Sequence, residues 1–458
     1  MFNTLTKQKE TKKHPPGLYV ICFTEMMERF SYYGMRGLLI LFLTTQLVKG
    51  GLGIDTKTAG LIYGLFAGFV YFTPIIGGWL ADKYLGHRKA ILLGGLLIML
   101  GQFALFATYT KSMLYLGLLL LILGNGFFKP NMSIIVGNLY DKNDGRKDAA
   151  YTIFYMFINI GAFIAPLVCG TLAEQVFAQK QGIEIISYGY RYGFLAAGIG
   201  MLIGQIGFML LANKYLGDIG KYPITNTPKN NSATNTDKPL TKQEKRRIKA
   251  IFIIVFFVTF FWAGFEQAGS SLTIYTNNFI NRNIGNFVVP VTWFQSLNPI
   301  FCVILGPIMG ALWIHLSKRE KGDLSIPQKM SLGMILLGLG FLLMVGAVLQ
   351  RGSAGNDVTV KANMLWLIGA YFLHTVGEMC LSPVGLSMIS KLSPPKLASF
   401  LMGVWLLSSF FANLTAGIVA SFMETFTHMQ IFGTITIVSI GLGFILLLLN
   451  KKLISMME

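Results

Sequence analysis

Glu25, Glu28, Arg29 and Arg36 lie within twelve residues of one another, in a stretch that is otherwise apolar. A charge near the centre of a bilayer costs about 2.5–3.5 kcal/mol, so four unpaired ones would cost roughly 10–14 kcal/mol and forbid a lipid-facing span. Their spacing resolves the conflict. At about 100° per residue, Glu25, Arg29, Tyr32 and Arg36 share a narrow sector of one helix face, with Glu28 and Tyr33 flanking it. That stripe must face a protein-lined, wet interior. Opposite signs at i, i+3 and i+4 suit either a working charge network or an ion cluster that only locks helices together. Arg36 has no acid one turn away and needs a carboxylate from another helix or from a ligand. Further isolated charges are Lys129 in GNGFFKPN, Glu266 in FWAGFEQAGSS and Glu378 in HTVGEMCLSP. Three cations (Arg29, Arg36, Lys129) and four acids (Glu25, Glu28, Glu266, Glu378) would make a cavity suited to a zwitterion with separated ends. Carboxylates beside a movable cation can also carry a proton.

These residues must be held by membrane helices. The chain has 458 residues, 53% hydrophobic and only 13% charged, with a mean hydropathy of +0.58. Charged residues are about half as frequent as in soluble domains. Apolar spans are expected near 18–48, 57–81, 89–109, 112–139, 149–175 and 191–213, then near 250–281, 289–316, 328–350, 362–390, 398–424 and 429–450. Each is of bilayer-crossing length. Residues 214–249 include NTPKNNSATNTDKPLTKQEKRRIK, a polar composition suited to a mobile linker. The expected organisation is a tail over 1–17, six helices over 18–213, the linker, six helices over 250–450 and a tail over 451–458. Two such halves suggest a transporter built from repeats.

The net charge of +18 would suggest nucleic acid in a soluble protein. Here the cations cluster in alternate loops: Lys83, His87, Arg88 and Lys89; Lys142, Arg146 and Lys147; the linker; Lys318, Arg319 and Lys321; Lys391 and Lys396. They read as topology determinants facing the cytoplasm and its anionic lipids, with both termini cytoplasmic. No nucleic-acid partner is expected. Cys22, Cys169, Cys302 and Cys380 each sit in a different apolar segment and read as packing residues, with no metal-ligand spacing. Met1–His14 is polar and basic, unlike a signal peptide. Pro74, Pro130, Pro166, Pro299 and Pro383 would permit kinks. His374 reads as packing residue or participant, and Trp293 as pocket lining or interface anchor. An enzyme is not expected: there is no His/Cys cluster, G-x-S-x-G or H-E-x-x-H. A non-transporting receptor would keep the pocket and lose the acids.

Gly78-x-x-x-Asp82, continuing to Gly86, His87, Arg88 and Lys89, resembles the loop motif of the major facilitator superfamily, where it forms a cytoplasmic latch between helices. Three stretches are more specific. Glu25-Met-Met-Glu28-Arg29-Phe-Ser-Tyr32-Tyr33-Gly resembles the E-x-x-E-R-F-x-Y-Y-G motif of the proton-dependent oligopeptide transporters. Gly124-Asn-Gly-Phe-Phe-Lys129-Pro-Asn131 and Phe154-Tyr-Met-Phe-Ile-Asn159-Ile-Gly161 are similar to that family's two signatures. Trp293-Phe-Gln-Ser-Leu-Asn298-Pro and Gly377-Glu378, with Leu-Ser382-Pro, add matches in the second half.

The resemblance implies an all-α major facilitator fold of twelve transmembrane helices in two six-helix bundles. It also implies proton-coupled uptake of di- and tripeptides across the cytoplasmic membrane by alternating access. Matching positions place Arg36 and Lys129 at the peptide carboxylate, with Tyr32, Tyr33 and Tyr71. Asn159, Asn298 and Glu378 would hold the amino end and backbone, and Trp262, Ser382 and Trp405 would line side-chain pockets. Glu25, Glu28, Arg29 and Glu266 would form the proton-coupling network. No cofactor is implied beyond protons as coupling ion, and a monomer suffices. The chain departs from the family twice. The linker has no room for the extra helix pair of many prokaryotic members, and there is no second-helix histidine like that of animal members. A relative moving nitrate, a modified amino acid or a peptide-like drug is the alternative.

Overall fold

The computed structural model describes residues 13–141, 144–182, 184–223, 240–319, 322–352, 355–394 and 397–457. Expectations for Lys142, Lys321, Lys396, most of the linker and the first twelve residues lie outside the described residues, as do the side chains of Pro383 and Lys391.

Among the described residues, twelve helices have membrane-crossing length. In the first half they are α1 (Pro16–Thr44), α2 (Thr56–Leu80), α3 (His87–Phe106), α4 (Lys111–Asn138), α5 (Arg146–Thr171) and α6 (Tyr190–Leu216). In the second they are α7 (Lys242–Phe265, continuing through the turn Glu266–Gly269 into Ser271–Phe279), α8 (Leu297–Ser317), α9 (Ile326–Gln350), α10 (Met364–Leu392), α11 (Ala398–Ser421) and α12 (His428–Leu448). A short α13 (Asn450–Met457) follows. Eleven of the twelve are apolar enough to cross a membrane. The exception, α1, has the length but carries the four charges, and it buries all four within the protein. Between α6 and α7 lie 25 residues, too few for two further spans of about 20.

Polar caps end these apolar rods. The Asp55 carboxylate accepts from the Thr58 N–H at 2.9 Å to start α2. Reciprocal capping boxes start α7 (Thr241 and Glu244), α9 (Ser325 and Gln328) and α12 (Thr427 and Gln430). Each satisfies donors that the first turn leaves without intrahelical partners. Pro74, Pro130 and Pro166 lie inside α2, α4 and α5, and Pro307 inside α8. Pro299 falls in the first turn of α8, where a missing N–H removes no helical bond.

Within the first bundle α1 packs on α5 and α6, α3 on α4 and α6, and α2 on α4. Within the second, α9 packs on α10 and α12, α7 on α11, and α8 on α10. Two seams join the bundles, α2 with α11 and α5 with the start of α8. At its Gly60–Gly64 end the α2–α11 seam is backbone against backbone, and further along Phe69 and Phe72 pack on Phe410. A Cβ on Gly60 would sit 2.6 Å from the Ser421 nitrogen, and one on Gly64 would sit 2.8 Å from the Gly417 Cα.

Two expectations need correction. The helical part of α7 begins at Lys242, inside the stretch read as linker, because the Thr241–Glu244 box nucleates a helix from polar residues. The stretch read only as a C-terminal tail forms a short helix, α13. Leu453 of α13 is buried and Arg247 Nε donates to the Met457 carbonyl at 2.9 Å, so α13 packs on α7.

Candidate functional site

Between the bundles lies a cavity of about 950 Å³, open solvent at its mouth included. Tyr33 and Arg36 reach it from α1, Tyr71 from α2, Asn159 from α5, Trp262 and Glu266 from α7, Asn298 from α8 and Glu378 from α10. Eight of the residues singled out in the sequence therefore meet on one surface.

The acid that Arg36 requires is Glu266. The Arg36 guanidinium donates to the Glu266 carboxylate across the bundle interface, and its Nε donates to the Tyr63 hydroxyl at 2.9 Å. Glu266 can make this contact because α7 loosens there into a turn of 3-10 helix. Opposite, Asn298 Nδ2 donates to Glu378 Oε2 at 2.8 Å and lies 3.1 Å from Thr375 Oγ1. The Cys302 thiol contacts the same carboxylate oxygen at 3.7 Å. The Asn159 amide donates to the Tyr155 carbonyl on its own helix at 2.9 Å.

The remaining residues stand behind the wall. Glu25, Glu28 and Arg29 are buried away from the cavity, where Arg29 Nε lies 3.1 Å from Glu25 Oε1 and 2.5 Å from Glu28 Oε2. The stripe expected to face a wet interior is thus divided: only its Arg36 end reaches the cavity. Glu25 Oε2, Glu28 Oε1 and Arg29 Nη2 have no hydrogen-bond partner among the described residues. Tyr32 is buried, edge-on to Tyr33 and beside Arg29. Lys129 makes no ion pair among the described residues; its Nζ lies 3.9 Å from the centre of the Tyr71 ring. Trp405 packs against Gly385, and neither it nor Ser382 belongs to the cavity lining.

His374 borders the cavity beside the Phe341 ring, its Nε2 buried without a partner among the described residues. Trp293 does not line this cavity. Its indole N–H reaches the Leu167 carbonyl and the Thr171 hydroxyl, both at 3.1 Å, and clamps α8 to α5.

Sequence reasoning missed Tyr63, Tyr155, Gln295, Tyr371 and Thr375, which complete the wall or hold its groups. A tyrosine or threonine in an apolar helix carries no insertion penalty large enough to mark it. It also missed an ion pair at the end of the bundles where α1 finishes and α2 begins. Glu174, 1% exposed, bonds Arg282 Nη1 at 3.0 Å and the Val291 N–H at 2.8 Å. Thr292 and Ser296 donate to the Pro166 and Phe163 carbonyls at 2.8 Å, and Thr56 bonds Glu424. This end is shut by bonds that cross from one bundle to the other.

The loop motif ties elements of the first bundle. Gly86 turns with φ +78, where a Cβ would strike the Lys221 carbonyl. His87 bonds Asn131 at 2.7 Å and lies 3.8 Å from Asp82. Arg88 donates to the Gly217 carbonyl at 2.6 Å and the Ala212 carbonyl at 3.2 Å. Gly78 faces Pro130 of α4, and Lys89 is exposed.

The profile of the POT family matches residues 88–216 and 221–438. An uncharacterized transporter, YclF, of Bacillus subtilis (strain 168) is 37% identical, over 97% of this chain and 95% of its own. A di-/tripeptide transporter of Lactococcus lactis subsp. cremoris is 31% identical, over 100% and 99%. The crystal structure of a peptide transporter, POT, in complex with sulfate superposes with a TM-score of 0.86 at 33% identity, covering 98% of this chain and 97% of that one.

Proposed function

Because the chain belongs to the POT family, we propose that it is a proton-coupled symporter that takes up di- and tripeptides by alternating access. One observation carries the reading. Arg36 of the first bundle and Glu378 of the second face one cavity, and Arg36 is engaged by Glu266 across the interface that must move. A peptide's carboxylate would replace Glu266 at Arg36, with Tyr33, Tyr71 and Lys129 close by. Its amino group would take Glu378, with Asn298 and Asn159 holding the backbone. Glu266, losing its cation while buried, becomes costly as an anion and takes a proton instead. Glu25 and Glu28, both on Arg29, form the second proton-accepting group, and protonation of either would release Arg29 toward its neighbours.

Binding drives the change of access only through unequal affinity for the two states. With the basic loops in the cytoplasm, the end closed by Glu174, Arg282, Thr292 and Ser296 faces outward, and the described state is shut to the outside. The protein works as a monomer in the cytoplasmic membrane.

Uptake of labelled dialanine into proteoliposomes tests the reading. Accumulation under an inward proton gradient, abolished by a protonophore, is the expected result. Exchange without accumulation would keep the peptide site and discard the proton assignment. No dialanine movement in folded protein would move the substrate to another small solute.

A further inference from the structure

The first two turns of α7 hold a feature that transport does not use. Lys242, Lys245, Arg246 and Lys249 are all exposed and fall at i, i+3, i+4 and i+7, one face of the helix. None of the four makes an ion pair with a described residue. The nearest acid, Glu244, is committed to the cap, accepting from the Thr241 N–H at 2.8 Å and hydroxyl at 3.0 Å. Cations crowded at a helix N-terminus also oppose its dipole, so an anion there would relieve two unfavourable terms together.

The same face continues into the membrane. At about 100° per residue it passes from Lys249 to Phe252, Phe256 and Phe260, which are 45%, 53% and 38% exposed. Exposed phenylalanines on a membrane-spanning helix face lipid, so the cations above them stand at headgroup depth. Cations followed by apolar rings along one line match the order of groups in an anionic phospholipid: phosphate, glycerol, acyl chain.

We propose that this face of α7 is a binding site for an anionic phospholipid, its headgroup on Lys242, Lys245, Arg246 and Lys249 and its acyl chains along Phe252, Phe256 and Phe260. The lipid holds the end of the helix that carries Glu266.

Native mass spectrometry of the intact protein, purified from vesicles of mixed phosphatidylglycerol and phosphatidylcholine, tests this without reference to transport. Wild type is expected to retain phosphatidylglycerol over phosphatidylcholine. Each neutralised cation should weaken that retention about fivefold, so Lys242→Gln, Lys245→Gln, Arg246→Gln and Lys249→Gln together should abolish the preference. The single variant Lys249→Gln keeps the test valid if the quadruple variant fails to fold, and high salt should weaken wild-type retention through screening. Equal retention of the two lipids by wild type, or an unchanged preference in Lys249→Gln and in the folded quadruple variant, would overturn the proposal.

Discussion

The molecule holds two kinds of buried ion group, and they differ in what they join. Glu25, Glu28 and Arg29 sit on a single helix, so no rigid motion of the bundles changes their distances. Arg36 with Glu266, and Glu174 with Arg282, span the two bundles, so those contacts cannot survive separation of the bundles. A group of the first kind can gain or lose a proton without any motion of one bundle against the other. A group of the second kind cannot break without moving something. Coupling a proton to a change of access requires both, with a neighbour that senses each. Arg29 and Arg36 lie two helical turns apart on the same face of α1, which makes that helix the common member.

Several experiments break or sharpen this contrast. The largest effect is expected from Glu28→Gln. Proton-driven accumulation of dialanine should fall more than tenfold while exchange down the gradient persists, since the bundles can still move. Loss of both would place Glu28 in the moving parts instead.

Removing one partner of a buried pair costs about 3–5 kcal/mol, because the other charge is left unpaired. Arg36→Ala should therefore cost both peptide affinity and thermal stability, and Arg36→Ala with Glu266→Gln should recover stability but not affinity. Equal recovery of the two in a melting and binding series would separate Arg36 from the substrate.

Glu174→Gln should act on conformation alone. The Val291 N–H keeps an acceptor and Arg282 loses its charge partner, so the shut end opens more often. Spin labels at Val48 and Ile284, both exposed, should show a larger population at long distance, with dialanine affinity in detergent unchanged within about twofold, less than 0.5 kcal/mol.

The smallest effect is expected at Asp55, a control outside the membrane. Its hydrogen bonds from Thr58 lower its pKa below the usual carboxylate value. A depressed pKa means that the cap's contribution is present above the unfolded value and lost only as pH falls through the folded one. Asp55→Ala should lower Tm slightly, by the same amount at every pH between about 5 and 8, since carboxylates stay ionised there. A change in the pH profile of transport in this variant would spread proton coupling beyond the buried acids.

What could be read from the sequence followed from cost. Charges in apolar stretches are expensive, so Glu25, Glu28, Arg29, Arg36, Lys129, Glu266 and Glu378 announced themselves, and the need of Arg36 for an acid on another helix followed from spacing. Which acid would answer it did not follow, since Glu266 and Glu378 were equally exposed to the argument. The division of the α1 stripe into a buried cluster and a cavity edge was also invisible, because helical periodicity fixes direction but not depth of neighbours. Glu174 and Arg282 went unnoticed at the ends of apolar runs, where a charge is ordinarily free to reach water. The eight residues of α13 were too few to stand out as a helix.

The α2–α11 seam bears on how such a protein could be controlled. Where Gly60 and Gly64 lie against Gly417, the two helices meet without side chains to interlock, as a shaft meets a plain bearing. A methyl group at Gly64 would act as a shim, holding the helices apart at the very end that is shut. Single alanine substitutions along that seam therefore offer a way to jam the protein in its other state while every charged group stays in place, which would separate the chemistry of recognition from the mechanics of access.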